Sequence, residues 1–324
     1  MTKLVLSPLA INDLLAIEYP ANVVISADIL DVGGLMLVVG PTSVGKSYLL
    51  LQLAMHLVTG TPVVGQWAVP RPFSTYLVQA EIGRRRFQSR VAKLWANFAG
   101  AAAADLWLES PYDLKLDTPE GLAALEEVVV EKGVEVLIID PLRPFHGRDE
   151  NKSDEMQRLF DSFLRLQFKY SVAVVFGHHD RKPSPDGWGK SIYKTRGNTV
   201  ITDRPDTSFR IEESKQAGMV EFVNDKLRNG EQKLPKQRWV ADRKTGLFSP
   251  ADTQVVDKAQ IVTTLLARGE LALSEVVKSV MVEAGVSNKG AYAVINSLEK
   301  AGVVAKTQGG RQNNQKGLVL VGDK

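Results

Sequence analysis

The chain has 324 residues, of which 44% are hydrophobic and 24% are charged, and this balance is typical of a globular protein long enough for two domains. A formal net charge of +3 is too small to indicate a nucleic-acid partner by itself. The lack of cysteine excludes disulfides, thiolate zinc sites and a cysteine nucleophile. Residues 1–20 contain Asp13 and no long apolar run, and no stretch reaches the ~18 uninterrupted apolar residues of a membrane span. We therefore expect a cytoplasmic protein.

Residues 1–30 form a lead-in with one predicted helix near 11–17, and from residue 34 to about 248 apolar strands alternate with helical stretches. The pattern predicts strands at 35–40, 74–81, 134–140 and 172–179, and helices at 46–57, 87–97 and 153–169. Apolar strands that alternate with helices are typical of the α/β class, with a largely parallel sheet covered by helices on both faces. Residues 207–248 instead alternate at period two, which predicts an antiparallel extension of the sheet.

A short linker at 249–254 precedes a second unit. Helices are predicted at 257–267, 274–284 and 287–301, followed by two strands around a polar, Gly-rich tip. Three helices and a hairpin are typical of a winged helix. We therefore expect two domains, 1–250 and 254–324. In the third helix Ser287 is the expected N-cap. The residues expected to face the core are Tyr292, Ile295, Leu298 and Ala301.

A phosphate-binding motif follows the first strand. Residues 40–47 have the sequence G-P-T-S-V-G-K-S, which is the Walker A pattern between a strand and a helix. The glycines let backbone N–H groups surround phosphates, and the helix N-terminus adds a partial positive charge. Lys46 is expected to neutralise the β- and γ-phosphates, and Ser47 to bind Mg²⁺. The predicted ATP-binding residues are Gly40, Pro41, Thr42, Ser43, Val44, Gly45, Lys46, Ser47 and Tyr48.

Acidic residues close two of the predicted strands. Asp140 ends the third strand and is the expected Walker B ligand of Mg²⁺. Many P-loop ATPases carry a glutamate directly after that aspartate, but here the next residue is Pro141. Glu81 ends the second strand, and the ends of parallel strands meet at one edge of a sheet. We therefore expect Glu81 to activate the attacking water.

Two histidines close the fourth strand. His178 and His179 lie where a polar side chain can contact the γ-phosphate, and the sequence leaves open which of them does so. Few further ligands have a spacing that suits a transition metal, so a phosphate contact is favoured over a metal site.

Taken together, these elements resemble the RecA-like superfamily over residues 23–245. They look most like the RepA-like hexameric helicases of plasmids and phages, which are related to the DnaB replicative helicases. The segment N-D-K-L-R-N-G-E at 224–231 resembles the one from which such helicases insert a lysine and an arginine into the neighbouring subunit's ATP site. The resemblance implies that role for Lys226 and Arg228, which share one face of a strand. It also implies ATP, Mg²⁺ and a homo-hexamer.

Two regions are candidates for contact with DNA. Residues 181–199 carry five Lys or Arg against one Asp, with glycines and aromatic residues between them, which suits a single-stranded backbone. The favoured residues are Lys190, Lys194 and Arg196. From residue 289 to 324 there are six Lys or Arg and two acids, which suits duplex DNA, with Lys289 and Arg311 favoured. Winged helices also bind proteins, so a replication protein is the alternative partner there.

Three functions remain open on the sequence. The first is an ATP-dependent helicase that moves along single-stranded DNA in replication. The second is a RecA-like recombination or strand-exchange mediator that works as a filament. The third is an initiator or regulator in which ATP only switches assembly. An AAA+ initiator should have a helical lid after the fourth strand, whereas residues 207–248 have a strand pattern, and this favours the RecA-like alternatives.

Overall fold

A computed structural model of the protein describes most of the chain in two compact units, Met1–Ala251 and Asp252–Lys324. The described residues are 8–19, 21–98, 104–180, 195, 197, 199–251, 258–267, 269–283, 288–307 and 317–321. Across those ranges, no helix has the length and apolar character needed to cross a membrane.

The first unit has the predicted alternation of strands and helices. Its helices are α1 (Ile11–Leu15), α2 (Lys46–Thr59), α3 (Arg84–Trp95), α4 (Pro119–Glu131), α5 (Ser153–Tyr170) and α6 (Val200–Asp203). Its strands are β1 (Val23–Ile25), β2 (Leu30–Asp31), β3 (Leu35–Gly40), β4 (Thr75–Gln79), β5 (Leu106–Glu109), β6 (Val136–Asp140), β7 (Ala173–His179), β8 (Thr207–Glu213), β9 (Met219–Leu227), β10 (Gln237–Ala241) and β11 (Phe248–Pro250).

Nine strands form the central sheet, in the order β11-β10-β9-β8-β3-β7-β6-β4-β5. The strands from β8 to β5 in this order run parallel, and every residue of β3 is buried. This burial on both faces explains why the parallel strands are continuous apolar runs. The α/β class with a largely parallel sheet is therefore confirmed.

The antiparallel extension is also confirmed. β9 lies antiparallel to β8, and β10 and β11 continue the same alternation of direction. Because β9 reverses, its end lies beside the start of β3: Leu227 pairs with Thr207, which pairs with Met36. The helical lid of an AAA+ protein is absent from residues 207–251, all of which are described.

Each face of the sheet has its own apolar core. One face packs against α2 and includes Leu50, Val175 and Phe209. The other packs against α4 and α5 and includes Leu137, Phe163 and Phe176. The aromatic rings of Phe209, Phe222 and Trp239 stack in series across the antiparallel strands. The helix α2, which carries the Walker A lysine, is therefore fixed along one whole side.

Some elements were missed by the sequence analysis. The strand β5 has only four half-buried residues at the sheet edge, too few for a clear pattern. The helix α4 did have a signal, because Thr118 caps it by accepting a hydrogen bond from the Gly121 N–H at 3.1 Å and Pro119 occupies its first turn. A capping residue followed by proline is therefore the local signal for the start of this helix.

The second unit contains α7 (Lys258–Leu266), β12 (Leu271–Ala272), α8 (Leu273–Glu283), α9 (Asn288–Lys300), β13 (Val304–Thr307) and β14 (Gly317–Leu320). Its three strands pair antiparallel in the order β12-β14-β13. The three predicted helices and the two final strands are present, and β12 adds a third strand. Its identity as a winged helix stays a prediction.

The prediction for the core face of α9 was partly wrong. Ile295 and Leu298 are buried, but Tyr292 is 38% exposed and Ala301 is also exposed. The buried neighbour at the helix start is Ala291 instead. Residues 291, 295 and 298 follow the i, i+4, i+7 spacing of one helix face, and Tyr292 lies about 100° away from it because a helix has 3.6 residues per turn.

Candidate nucleotide site

The Walker A loop connects β3 directly to α2. Gly45 precedes the helix with φ at +103°, a conformation that favours glycine, and a Cβ there would lie 2.7 Å from the ring of Phe248. A Cβ on Gly40 would lie 2.5 Å from the carbonyl oxygen of Ile211. Both glycines are therefore required by close packing around the loop. The backbone N–H groups at the start of α2 supply the donors that phosphate oxygens need.

Lys46 is held inside this loop. It is 5% exposed, and its Nζ donates to the carbonyl oxygens of Gly40 at 2.8 Å and Pro41 at 2.7 Å. Burial lowers the pKa of Lys46 to about 8, against the attraction of Asp140, Asp180 and, more weakly, Glu81. The ammonium is thus charged at neutral pH but poorly solvated, which favours contact with an anion.

Asp140 lies at the end of β6, between β4 and β7, and is 7% exposed. Burial, with a smaller contribution from the charge of Glu81, raises the pKa of Asp140 to about 6 against the opposing effects of a hydrogen bond with Ser47 and the charge of Lys46. The structure therefore brings Ser47 and Asp140 together. A hydroxyl and a carboxylate oxygen are hard donors that fit Mg²⁺ held jointly with phosphate oxygens.

Gly177 on β7 makes room for this pair. A Cβ there would lie 2.9 Å from Leu50 and 3.2 Å from the Oδ1 of Asp140. The sequence analysis did not single out this glycine. The close approach of β7 to the Asp140 carboxylate could be found only from the sheet order.

Glu81 lies in the turn after β4, since the strand ends at Gln79 and not at residue 81. The Oε1 of Gln79 accepts from the N–H of Glu81 at 3.2 Å and of Ile82 at 3.0 Å, which fixes the turn. The Oε1 of Glu81 lies 3.3 Å from the Nε2 of His179. Glu81 also influences the charge state of both Lys46 and Asp140. The structure therefore places Glu81 and His179 at the same edge of the sheet as the loop.

The two histidines lie on opposite faces of β7. His179 follows the parity of Val175 and Gly177, which face α2, whereas His178 follows Phe176 into the other core. His178 is 1% exposed, and its Nε2 lies 4.0 Å from the Oε1 of Glu150. Of the two candidates, only His179 lies beside Glu81.

A cavity of about 400 Å³ adjoins the loop on the side of the antiparallel strands. Its wall includes Val44, Tyr48, Met219 and Phe248. The ring of Tyr48 is fixed by the guanidinium of Arg90, 4.5 Å from its centroid. This mixture of apolar and backbone surface suits the base and ribose of a nucleotide whose phosphates lie on the loop. The sequence analysis named Tyr48 but not the strand residues opposite it.

Lys226 and Arg228 lie far from this chain's own Walker A loop. The Nζ of Lys226 donates to the carbonyl oxygen of Asp203 at 2.6 Å, and the guanidinium of Arg228 donates to the same oxygen at 3.1 Å and to Asp206 at 2.8 Å. Burial, followed by the positive charge of Arg228, lowers the pKa of Lys226. The two cations converge on one point, at the edge of the sheet opposite the loop.

The candidate DNA contacts fall mostly outside the described residues. Those outside are Lys190, Lys194, Arg196 and Arg311. Lys289 lies in α9, but its side chain is not among those described.

The sequence analysis also missed Arg210, although it is among the largest fully buried side chains of the described chain. Its guanidinium donates to Asp180 and, at 2.9 Å, to Asp225. The only signal was an arginine between Phe209 and Ile211, which a period-two pattern assigns to an outward face. The covering of that face could be known only from the tertiary structure.

The sheet order, the loop between Gly40 and Gly45 after β3, and the Ser47–Asp140 pair define a RecA-like P-loop ATPase. The chain belongs to the family described as AAA domain, whose model matches residues 2–185. It is also similar to a solved structure of the RadB recombinase, with 17% sequence identity and a TM-score of 0.49, over 68% of this chain and 91% of that one.

Proposed function

We propose that the protein is an ATP-dependent DNA helicase, a hexameric motor of the RepA-like kind that moves along single-stranded DNA in replication. One observation carries the proposal. The strand β3 has six residues between the Walker A loop and the edge where β9 ends. At about 3.3 Å per residue, this separates Arg228 from the loop by roughly 16 Å along the strand, and Lys226, which pairs with Ser208 beside Leu37, by roughly 10 Å. This separation favours a role of the two cations at a neighbouring subunit's nucleotide over a role at this chain's own.

The residues at the loop divide the work of hydrolysis. Lys46 and the backbone N–H groups bind the β- and γ-phosphates of ATP, and Ser47 and Asp140 hold Mg²⁺, which neutralises developing charge when it is bound. Glu81 orients and activates the attacking water. His179, 3.3 Å from Glu81, orients that carboxylate and lies where it can report loss of the γ-phosphate.

The second set of residues completes the site from the next subunit. Arg228 is half exposed and paired with Asp206, so its guanidinium can exchange a carboxylate for a phosphate with little burial to overcome. Lys226 lies beside it on the same carbonyl oxygen. An arginine supplied in trans stabilises the charge of the transition state without adding much to ground-state binding.

DNA contact is assigned to the basic residues of two segments. Lys190, Lys194 and Arg196 bind the single-stranded backbone. The second unit, with Lys289 and Arg311, binds duplex DNA or a replication protein as a winged helix. The order of helices and strands in that unit supports this assignment.

Mixing two inactive variants tests the shared site. Lys46→Ala can still lend Arg228, and Arg228→Ala keeps an intact loop, so mixed assemblies should regain hydrolysis at interfaces that pair the two intact halves. The matched control mixes Arg228→Ala with a doubly substituted Lys46→Ala, Arg228→Ala chain, which offers no intact partner and should give no recovery. Hydrolysis by isolated Arg228→Ala monomers at the wild-type rate would remove the proposal.

Electron microscopy with single-stranded DNA and a non-hydrolysable ATP analogue separates the helicase from the alternative. Closed rings are expected for a hexameric helicase. Helical filaments would indicate a recombination mediator that uses the same shared site.

A further inference from the structure

Arg210 lies in the middle of β8, beside Val39 of β3, and its side chain is 1% exposed. Its Nε donates to the Oδ2 of Asp225 at 2.9 Å, and its Nη2 donates to the Oγ1 of Thr195 at 3.1 Å. Its Nη1 donates to the Oδ1 of Asp180. The two carboxylates are themselves nearly buried. A guanidinium removed from water is stable only when it is paired in this way.

The three partners belong to different parts of the molecule. Asp180 follows β7 at the Walker A edge of the sheet. Asp180 and Thr195 form an antiparallel bridge and flank residues 181–194. Asp225 precedes Lys226 on β9. Arg210 therefore contacts Asp180 just before the 181–199 segment assigned to DNA, Thr195 within that segment, and the strand that carries the Lys226–Arg228 pair.

A short path links this network to the nucleotide. The carbonyl oxygen of Gly40 accepts both the N–H of Asp180, at 3.2 Å, and the ammonium of Lys46, at 2.8 Å. The carboxylate of Asp180 also attracts Lys46. Asp180 thus bonds directly to the buried Arg210 and acts on the buried Lys46 through its charge. When a phosphate draws the Lys46 ammonium, Asp180 keeps Arg210 as its buried cationic partner.

We propose that Arg210 is a positioning residue that couples the Walker A loop to the segment flanked by Asp180 and Thr195. When Lys46 contacts a phosphate, its electrostatic attraction for Asp180 changes. This alters the bond between Asp180 and Arg210, and because the guanidinium is rigid, the change also reaches its bond with Thr195. The inference rests on the proposed function in that the flanked segment meets DNA. Arginine is needed because its rigid planar group holds its three partners in a fixed relative geometry, which a compact lysine ammonium on a flexible stem does not do.

The test uses Thr195→Val and Arg210→Lys in the full-length protein. Thr195→Val removes one acceptor without changing shape, at a residue that is 5% exposed and so does not itself touch DNA. The matched control is Thr202→Val, at a threonine that is 7% exposed and whose hydroxyl donates locally to the carbonyl oxygen of Thr199 at 2.9 Å. Urea unfolding checks that each variant is folded.

Two measurements are made on each variant, with and without Mg²⁺ and a non-hydrolysable ATP analogue. One is the affinity for a fluorescent 30-nucleotide oligo-dT. The other, without DNA, is hydrogen exchange in peptides that contain Thr195. In the wild type and in Thr202→Val, the nucleotide should change both quantities severalfold. In Thr195→Val and Arg210→Lys, the effect of the nucleotide on both quantities should be nearly abolished. In Thr195→Val, KM and kcat for ATP in the absence of DNA should stay within about twofold of the wild type.

The outcomes separate this inference from the proposed function. A nucleotide effect of full size in both network variants would overturn the coupling role, as would wild-type exchange near Thr195 that does not respond to the nucleotide. If exchange responds in the wild type and is lost in the variants, but no oligo-dT binds, the coupling stands and the DNA motor assignment fails.

Discussion

The cations at the two ends of the parallel strands, Lys46 after the end of β3 and Arg228 near its start, are held in different ways. At the Walker A edge Lys46 is 5% exposed, bonded to loop carbonyls and surrounded by glycines that tolerate no side chain. At the opposite edge the side chain of Arg228 is 50% exposed and paired with a single carboxylate. A buried, preorganised cation serves ground-state binding of a ligand, whereas an exposed one can be exchanged between partners. The comparison teaches that one chain carries two dissimilar cation sites, as the proposed shared site requires.

The largest effects should come from replacing one cation at each edge. Lys46→Ala should lose both nucleotide affinity and turnover. Arg228→Ala should bind a fluorescent ATP analogue nearly as well as wild type but hydrolyse ATP slower, on the order of 10³-fold. Equilibrium binding and steady-state hydrolysis, measured on the same preparations, distinguish a loss of nucleotide affinity from a loss of turnover. A comparable loss of affinity in both variants would mean that Arg228 contributes to ground-state nucleotide binding as Lys46 does, which contradicts the comparison.

Within the Walker A edge, Glu81→Gln should keep ATP binding and lose turnover, by about 10²- to 10⁴-fold. His178→Gln is the matched comparison, because His178 lies on the other face of β7 from Glu81. It should reduce turnover far less than His179→Gln does. Single-turnover hydrolysis at saturating ATP measures the step directly. Normal turnover by Glu81→Gln would show that another group activates the water.

The buried carboxylate of the same edge predicts a dependence of stability on pH. Burial raises the pKa of Asp140 to about 6 from an ordinary 3.8, so the protonated form favours the folded state. Stability is therefore lost as pH rises from about 4 to about 6, and at pH 7 the cost is on the order of 3 kcal/mol. Asp140→Asn should raise the urea midpoint at pH 7, and its advantage should shrink to about 1 kcal/mol at pH 4.5.

Mg²⁺ with an ATP analogue provides the control for that experiment. These ligands should stabilise the wild type and not Asp140→Asn, because the charged carboxylate that costs stability is the proposed ligand of the metal. An Asp140→Asn advantage that is equal at pH 7 and pH 4.5 would count against a raised pKa.

The smallest effect on hydrolysis should come from removing residues 252–324. The remaining unit has both apolar cores of the sheet, so it should fold and hydrolyse ATP at close to the full rate. Duplex DNA binding should weaken, with a smaller dependence on salt. Fluorescence anisotropy with a short duplex, over a range of salt concentrations, measures both. Unchanged duplex affinity would favour a protein partner for the second unit.

The sequence alone determined the elements whose signal is local. The run L-M-L-V-V-G followed by G-P-T-S-V-G-K-S predicts the strand, the loop and α2, because glycine spacing and apolar length are properties of adjacent residues. The same holds for Asp140 at the end of a buried strand. Local patterns also predicted the antiparallel alternation of 207–248, which the structure has as β8 to β11.

Only the tertiary structure decided which distant residues meet. The sheet order places β7 beside β6, so that Gly177 accommodates the Asp140 carboxylate, and the parity of β7 separates His178 from His179. The period-two pattern of β8 predicts an outward-facing Arg210, because such a pattern cannot show that both faces of the strand are covered. The position of Lys226 and Arg228 at the far edge follows from the reversal of β9, which is a property of pairing across the sheet and not of any one segment.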